Sequence, residues 1–536
     1  MSTTNTVNSR RLSPFPPSNV LIIGAGPSGL VSLRNLSVYG KFDNVTLYER
    51  RNDVGGVWYL DNRNPSPLST TTSLSQDHCP LPPRWPSPAY PGLIGNVLPE
   101  YLSFSRFPFP TCQNQNQPFP TLLETHNYLR DFAEPFIKDG KIKLNIEVTR
   151  VEEVKGGGGW NVEVTDWNIP GGKKRVEHWD AVVIAVGWYD HPVWPDIPGL
   201  DTLREKGLAQ HAKFYRGPQG YEDKRVFIVG NANSGNDIAA HLAPIAQTPV
   251  YQSIRRPAFG GFPSLPDDRI KMVSPVTRFE LSSSETPDTV ITAHLQDGST
   301  IPNIDFIHIA TGYKPNPDFI HVFNPSQTPN SEVMRLVDQN PQPETGTRIP
   351  SLHRHILYAY NPSLAFIGSP MSFTPFTIGD ISSLWLSLIW SLQIPLLSPP
   401  TPPTTSRPSS PSSPACYLPS LSSHTNTLTS YLLQFESQRL DKIKEWRSSL
   451  DNPSALYSYG VLGASEEEYA ESLRKDAVSV LGKEMDEWFE MRWAPEEERR
   501  MRRERMYKVK FEALVCARDR VKGEEGEREE GVVISG

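Results

Sequence analysis

Two glycine-rich turns, about 200 residues apart, hold the residues best suited to chemistry in this chain. The first reads Val20-Leu21-Ile22-Ile23-Gly24-Ala25-Gly26-Pro27-Ser28-Gly29, and Glu49 follows 25 positions beyond Gly24. The second reads Val226-Phe227-Ile228-Val229-Gly230-Asn231-Ala232-Asn233-Ser234-Gly235, and Ser253, Arg255 and Arg256 follow it. A carboxylate so placed accepts hydrogen bonds from a ribose diol, whereas arginines there neutralise a 2′-phosphate. The contrast predicts two different dinucleotides, one phosphorylated on its ribose. It points to a flavin supplied with electrons by NADPH.

Each turn needs a strand before it and a helix after it. Val20–Ile23 is a short apolar run of the kind buried on both faces of a parallel sheet, and Leu30, Leu33 and Leu36 then recur at helical spacing. Val45-Thr46-Leu47-Tyr48-Glu49 reads as the next strand, which completes a βαβ unit with the acid at its end. Gly24 permits the tight turn, Gly26 lets the backbone approach a pyrophosphate, and Gly29 lets helix and strand pack closely. The helix N-terminus adds positive potential. In the second turn Ala232 replaces the middle glycine, an added methyl that crowds a pyrophosphate only modestly. A βαβ unit that binds nothing is the alternative there. Taken alone, Ser253 and Arg255 read equally well as the exposed end of the strand Val250–Ile254.

The remaining pattern suggests how these units are arranged. Gly156–Gly159 and Gly171-Gly172 read as turns of a small meander that includes strands Ile146–Val154 and Trp160–Val164. Ala181–Gly187 and Phe306–Gly312 are both buried strands ending in glycine, and the second βαβ unit lies between them. The expected fold is therefore α/β: two Rossmann-like dinucleotide-binding domains, the NADPH domain inserted in the FAD domain, plus a helical C-terminal region. The expected boundaries are a disordered lead-in at 1–18, the FAD domain at 19–206 and 326–396, and the NADPH domain at 207–325. A Ser/Pro-rich insertion at 397–425 and a helical region at 426–536 with a disordered tail follow. Residues 61–118 are rich in proline, serine and aromatics, and so long an irregular stretch is usually functional or disordered. The aromatics Trp85, Tyr90, Tyr101, Phe104, Phe107 and Phe109 argue for an active-site loop.

Composition narrows the function classes. Among 536 residues the net charge is −7, which gives no support for nucleic-acid binding. The basic run Arg499–Arg505 is flanked by acids and reads as a solvated helix face. Cys79, Cys112, Cys416 and Cys516 form no C-x-x-C pair, so neither a redox dithiol nor a zinc site is indicated. This argues against a pyridine-nucleotide disulfide reductase. Few cysteines and no apolar signal core lead to the expectation of a cytoplasmic protein. The longest apolar stretch, Ile381–Leu397, is interrupted by serines and reads as a buried helix rather than a membrane span. No metal site is expected.

Further motifs resemble the flavin-containing monooxygenases, within the class B flavoprotein monooxygenases. Glu49-Arg50-Arg51-Asn52-Asp53-Val54-Gly55-Gly56-Val57-Trp58 is similar to the family's acid-then-GG-x-W segment. Gly207-Leu208-Ala209-Gln210-His211-Ala212-Lys213-Phe214-Tyr215-Arg216 resembles the signature F-x-G-x-x-x-H-x-x-x-Y, with Glu205 where phenylalanine is usual. Ala310-Thr311-Gly312-Tyr313 is similar to the later ATGY motif, and Val186-Gly187 with Ile197-Pro198-Gly199 to an ATG-like strand and IPG turn. Gly95-Asn96-Val97-Leu98-Pro99-Glu100 resembles a T-N-x-P-x-E stretch, with Gly95 replacing threonine and proline displaced by one. The likeness spans about residues 20 to 390.

That resemblance implies roles for individual residues. Asn96 would be the active-site asparagine, whose amide can bond both a flavin edge and a nicotinamide. The flavin site would comprise Gly24, Gly26, Pro27, Ser28, Gly29, Glu49, Gly56, Val57, Trp58, Val151, Thr311 and Gly312. NADP would contact Gly230, Asn231, Ser234, Gly235, Ser253, Arg255, His211, Tyr215 and Arg216, with His211 structural or interdomain rather than a proton carrier. The implied reaction inserts one oxygen atom of O₂ into nitrogen or sulfur of a small molecule through a C4a-(hydro)peroxyflavin. Tyr215-Arg216 differs from the Trp-Pro ending of the Baeyer–Villiger enzymes, which favours heteroatom oxygenation. Ketone oxygenation and a non-catalytic flavin-binding protein remain open.

Overall fold

A computed structural model describes residues 16–61, 84–110, 117–256, 267–282, 290–324, 332–339, 348–396, 425–450, 457–482, 505, 508–516 and 518–519. The expectations for 1–15, 62–83, most of 397–425, most of Arg499–Arg505 and the final tail lie outside the described residues, as do Cys79, Cys112 and Cys416. Cys516 is a free, part-buried thiol.

The strand Asn19–Ile23 sits inside a seven-stranded sheet. It pairs in parallel with Asn44–Tyr48 on one side and Ala181–Ile184 on the other. Leu364–Phe366 extends the sheet beyond Ala181–Ile184, so the chain returns to this unit after building the second one. Alternation decides the packing. Val20 and Ile22 face a core formed with the helices Pro27–Tyr39, Leu122–Lys138 and Pro375–Trp390, whereas Leu21 and Ile23 face the meander. Burial on both faces is why an unbroken apolar run is needed here. The meander comprises Ile146–Glu153, Trp160–Asp166 and Lys173–Trp179, joined by Ile320–Phe323 and Val333–Arg335.

The second unit repeats this logic. Ile270–Val273, Val250–Ser253, Val226–Val229, Phe306–Ile309 and Ala209–His211 form an all-parallel sheet in that order. Phe227 and Val229 face the three-stranded antiparallel sheet Val276–Ser282, Val290–Leu295 and Thr300–Ile304, while Val226 and Ile228 face the helix Asn233–Leu242. Leu200 and Leu203 pack in this second core, and Ile320–Phe323 pairs with Ile146–Glu153 of the first unit. The chain therefore crosses between units before Leu200 and near Pro317, rather than at 206/207 and 325/326.

The helix Pro375–Trp390 is almost wholly buried, and among the described residues no helix is long and apolar enough to cross a membrane. The C-terminal region contributes the helices Thr425–Ser448 and Glu466–Leu481 and a helical segment over 508–516.

Candidate active site

Both glycine-rich turns open into one cavity of about 1730 Å³. That exceeds the roughly 300–1,000 Å³ of a single small-ligand pocket, so there is room for more than one ligand. The two turns are built alike. Gly24 and Gly230 adopt φ of +102° and +118°, and a Cβ on either would run into a carbonyl, that of Ala185 or Ala310. These alanines immediately follow the equivalent strands Ala181–Ile184 and Phe306–Ile309. A Cβ at Gly29 or Gly235 would likewise strike the carbonyl of Gly24 or Gly230, which explains the third glycine of each motif.

The helices that follow, Pro27–Tyr39 and Asn233–Leu242, begin at Gly26 and Ala232 with no side-chain cap. Their first N–H groups thus await an anion, and Gly26, Pro27 and Ser28, like Ala232, Asn233 and Ser234, line the cavity. These features fit two dinucleotide pyrophosphates.

Around the first turn, Glu49 is buried and lines the cavity. Its carboxylate accepts from the Ala25 N–H at 2.8 Å and the Arg51 N–H at 2.9 Å, which fixes it while each oxygen keeps a free lone pair. Gly55 donates to the Ala25 carbonyl at 2.9 Å, and the Arg51 guanidinium holds the Gly56 carbonyl at 2.9 Å. The Gly56-Val57-Trp58 turn is thereby docked onto the first motif, close enough that a Cβ on Gly56 would come 2.8 Å from the Gly26 Cα.

Around the second turn, Gln252 donates to the Gly230 carbonyl and to Asn236, both at 2.9 Å, and Asn231 donates to the Arg256 carbonyl at 2.8 Å. Ser253 lines the cavity, but its hydroxyl donates to the Ser274 carbonyl and accepts from the Val276 N–H. Arg255 and Arg256 also line the cavity, and among the described residues neither guanidinium has an acid partner. Burial, together with the cations Arg255 and Arg447, lowers the Arg256 pKa below its ordinary value. Uncompensated positive charge of this kind suits a phosphate.

Asn96 lines the same cavity, and among the described residues its amide makes no hydrogen bond. It sits between two anchors. Gly95 donates to the Pro120 carbonyl at 2.8 Å, just before the helix Leu122–Lys138, which Thr121 and Glu124 cap reciprocally. Beyond the short helix Pro99–Leu102, the Tyr128 hydroxyl accepts from the Phe104 N–H and donates to the Phe107 carbonyl. The aromatics of the loop are thus packed: Phe104 stacks on Phe376 and Phe109 on Tyr128.

Other expectations need correcting. Val151 is fully buried in the meander core and its N–H donates to the Phe319 carbonyl. The cavity reaches Val148 and Thr149 instead, where pairing with Trp160–Asp166 slips by one residue. His211 lies beneath the two inter-unit linkers, its ring against Trp194 and Tyr313, and burial drops its pKa to about 4. Tyr215 is fully buried among Tyr90, Tyr221 and His308. Arg216 is spent on the carbonyls of Tyr215 and Ser87 and on Asp61 at 3.9 Å, so it latches the loop rather than facing a cofactor. Gly29 and Gly235 lie behind their turns; Thr311 and Gly312 do line the cavity, although the Thr311 hydroxyl is bonded to the Val193 carbonyl. Arg50 and Arg51, which stand in the acid-then-GG-x-W segment without an expected role, also line the cavity, as do Asp190, Asp237, and Lys510 with Leu514 from the C-terminal helical segment, which the motifs missed. The i, i+4 spacing of Lys510 and Leu514 was the only sequence signal for the last pair.

A family model described as Flavin-binding monooxygenase-like matches residues 18–259. The Arabidopsis thaliana protein named Flavin-containing monooxygenase FMO GS-OX-like 4 is 31% identical over 398 residues, covering 72% of this chain and 79% of its own. The chain belongs to the flavin-containing monooxygenase family. Flavin-containing monooxygenase ustF2 of Aspergillus flavus is 29% identical, covering 70% of this chain and 83% of its own. Among solved structures, S-allyl-L-cysteine S-oxygenase from Allium sativum superposes with a TM-score of 0.60 at 23% identity, covering 92% and 98% of the two chains. Tmm from Pelagibacter sp. strain HTCC7211 gives 0.57 at 18%, covering 85% of each. The protein is thus a flavoprotein oxidoreductase of a family that depends on FAD and NADPH.

Proposed function

We propose that this monooxygenase inserts one oxygen atom of O₂ into a nitrogen or sulfur atom of a small molecule, with NADPH as reductant. The observation that carries the reading is the single cavity shared by two differently charged nucleotide cradles and the Asn96 amide, which makes no hydrogen bond among the described residues. Glu49 would hold the adenosine ribose of FAD, with Gly24, Gly26, Pro27 and Ser28 around its pyrophosphate. Gly56, Val57, Trp58, Thr311 and Gly312 would face the rest of that cofactor. Gly230, Asn231 and Ser234 would hold the NADP pyrophosphate, and Arg255 with Arg256 its 2′-phosphate. Bound FAD supplies the redox and oxygen chemistry. The chain's own work is to orient two coenzymes in one cavity, to present the Asn96 amide as donor and acceptor, and to exclude water with the packed loop 84–110.

The test is NADPH consumption by the purified protein over a panel of amines, thiols, sulfides and ketones, with mass spectrometry of the products. Amines or sulfides should accelerate consumption and gain one oxygen. Acceleration by ketones alone, with ester products, would replace this reading by the Baeyer–Villiger one. A protein that never retains flavin would remove both.

A further inference from the structure

We propose that Lys510 is a specificity-determining residue that binds a carboxylate carried by the oxygenated substrate. This rests on the monooxygenase reading above and names a substrate class for it. Lys510 and Leu514, four residues apart, present one face of the C-terminal helical segment to the cavity that Asn96 also lines. The Lys510 ammonium donates to the Gly95 carbonyl at 2.9 Å. That carbonyl belongs to the peptide unit leading into Asn96, so the charge stands beside a cavity amide that has no hydrogen-bond partner among the described residues. The ammonium also lies 4.9 Å from the centre of the Phe119 ring.

An ammonium has three N–H donors, and the Gly95 carbonyl takes one. Among the described residues no carboxylate lies within 4.0 Å of Lys510. Asp237, which lines the same cavity and accepts the Tyr90 hydroxyl at 2.8 Å, is the nearby acid; its charge favours the ammonium from a distance but makes no ion pair with it. A neutral carbonyl, a ring face and a carboxylate beyond ion-pair distance compensate the desolvated cation only in part: burial lowers the Lys510 pKa, the Asp237 charge opposes that, and the net shift is downward. A ligand anion restores the balance. A carboxylate offers two oxygens for the two remaining donors, as short charge-assisted bonds. A substrate with such a group would be held at one end while its nitrogen or sulfur is placed near Asn96.

The experiment titrates the flavin-loaded enzyme calorimetrically with a set of thioether carboxylic acids and their methyl esters. The wild type should bind at least one acid more tightly than its ester. Lys510→Met should cut that preference by about tenfold or more, the scale of one charge-assisted bond, and Lys510→Arg should keep most of it. A merely structural role would weaken acid and ester alike, and that result overturns the proposal. So does a wild type that favours no acid over its ester. Binding is scored without turnover, so an enzyme that showed the preference but formed no sulfoxide would refute thioether oxygenation and not the carboxylate site.

Discussion

At the residue scale, the decisive feature is which polar groups are already satisfied by the protein. Ser253 and Arg216 occupy promising positions, yet their side chains are bound to backbone carbonyls. Arg255 and Arg256 are not, so they are the expected readers of the 2′-phosphate. Replacing either by alanine should raise the KM for NADPH and narrow the preference over NADH by about tenfold, since bonds to charged groups contribute roughly 1.5–3 kcal/mol. Steady-state kinetics with both coenzymes measures this; an unchanged preference in the double variant would assign the phosphate to other residues. A second residue-scale expectation concerns His308, which is fully buried against Tyr215, Tyr221 and Phe306 with neither ring nitrogen bonded. Burial lowers its pKa from 6.5 to about 3. The folded state therefore favours the neutral ring. Its contribution is complete above pH 6.5 and is lost as the pH falls toward 3, because the unfolded chain then binds a proton that the folded one refuses. At pH 5 the loss comes to about 2 kcal/mol. His308→Phe should shrink the stability lost between pH 7.5 and pH 5 by that amount in urea unfolding.

At the scale of elements, the active-site loop depends on a distant helix. Asp380, on Pro375–Trp390, pairs with Arg34 at 2.7 Å and accepts from Asn35 and from the Ser105 N–H. Burial alone would raise its pKa, but the Arg34 guanidinium and these donors more than offset that, and the net shift is downward. Removing one partner of a buried pair strands the other, so Asp380→Ala should cost about 3–5 kcal/mol of unfolding free energy. A loss under about 1 kcal/mol would mean that Arg34 finds another acceptor. None of this was readable beforehand, because Arg34, Ser105 and Asp380 meet only through tertiary packing. The strands were readable, since the runs Val20–Ile23, Ala181–Gly187, Val226–Val229 and Phe306–Gly312 are mostly apolar and end in, or are followed at once by, glycine, although two of them stop in the structure at Ile184 and Ile309. The glycine cradles were readable for the same local reason: a backbone conformation demands the residue type. Val151 was misplaced because the one-residue slip at Thr149 leaves no compositional trace. His211 and Tyr215 stand in a motif, but that spacing says nothing of whether a side chain faces the cavity or the interior.

At the scale of the molecule, the two units are joined by two crossings that pair with each other. Val193 donates to the Gly312 carbonyl at 2.9 Å, Lys314 donates to the His191 carbonyl at 3.0 Å, and the Thr311 hydroxyl donates to the Val193 carbonyl. Beside them Asp190 pairs with Arg50 of the first unit at 2.7 Å and with Lys213 of the second at 3.5 Å. Burial would raise the Asp190 pKa, but these cations outweigh it and hold the group anionic. One carboxylate on a linker, itself lining the shared cavity, thus ties both units. The Asp190 side chain is 42% exposed, so solvent screening limits the pairing to about 1 kcal/mol. Asp190→Ala should therefore leave both cores folded and the melting temperature nearly unchanged. The linker amides of Val193 and Lys314 should exchange with deuterium about fivefold faster, because local opening is governed by local free energy. Hydrogen exchange read by mass spectrometry resolves this. Unchanged protection of both amides would show that the backbone pairing and Thr311 hold the crossing without the ion pair.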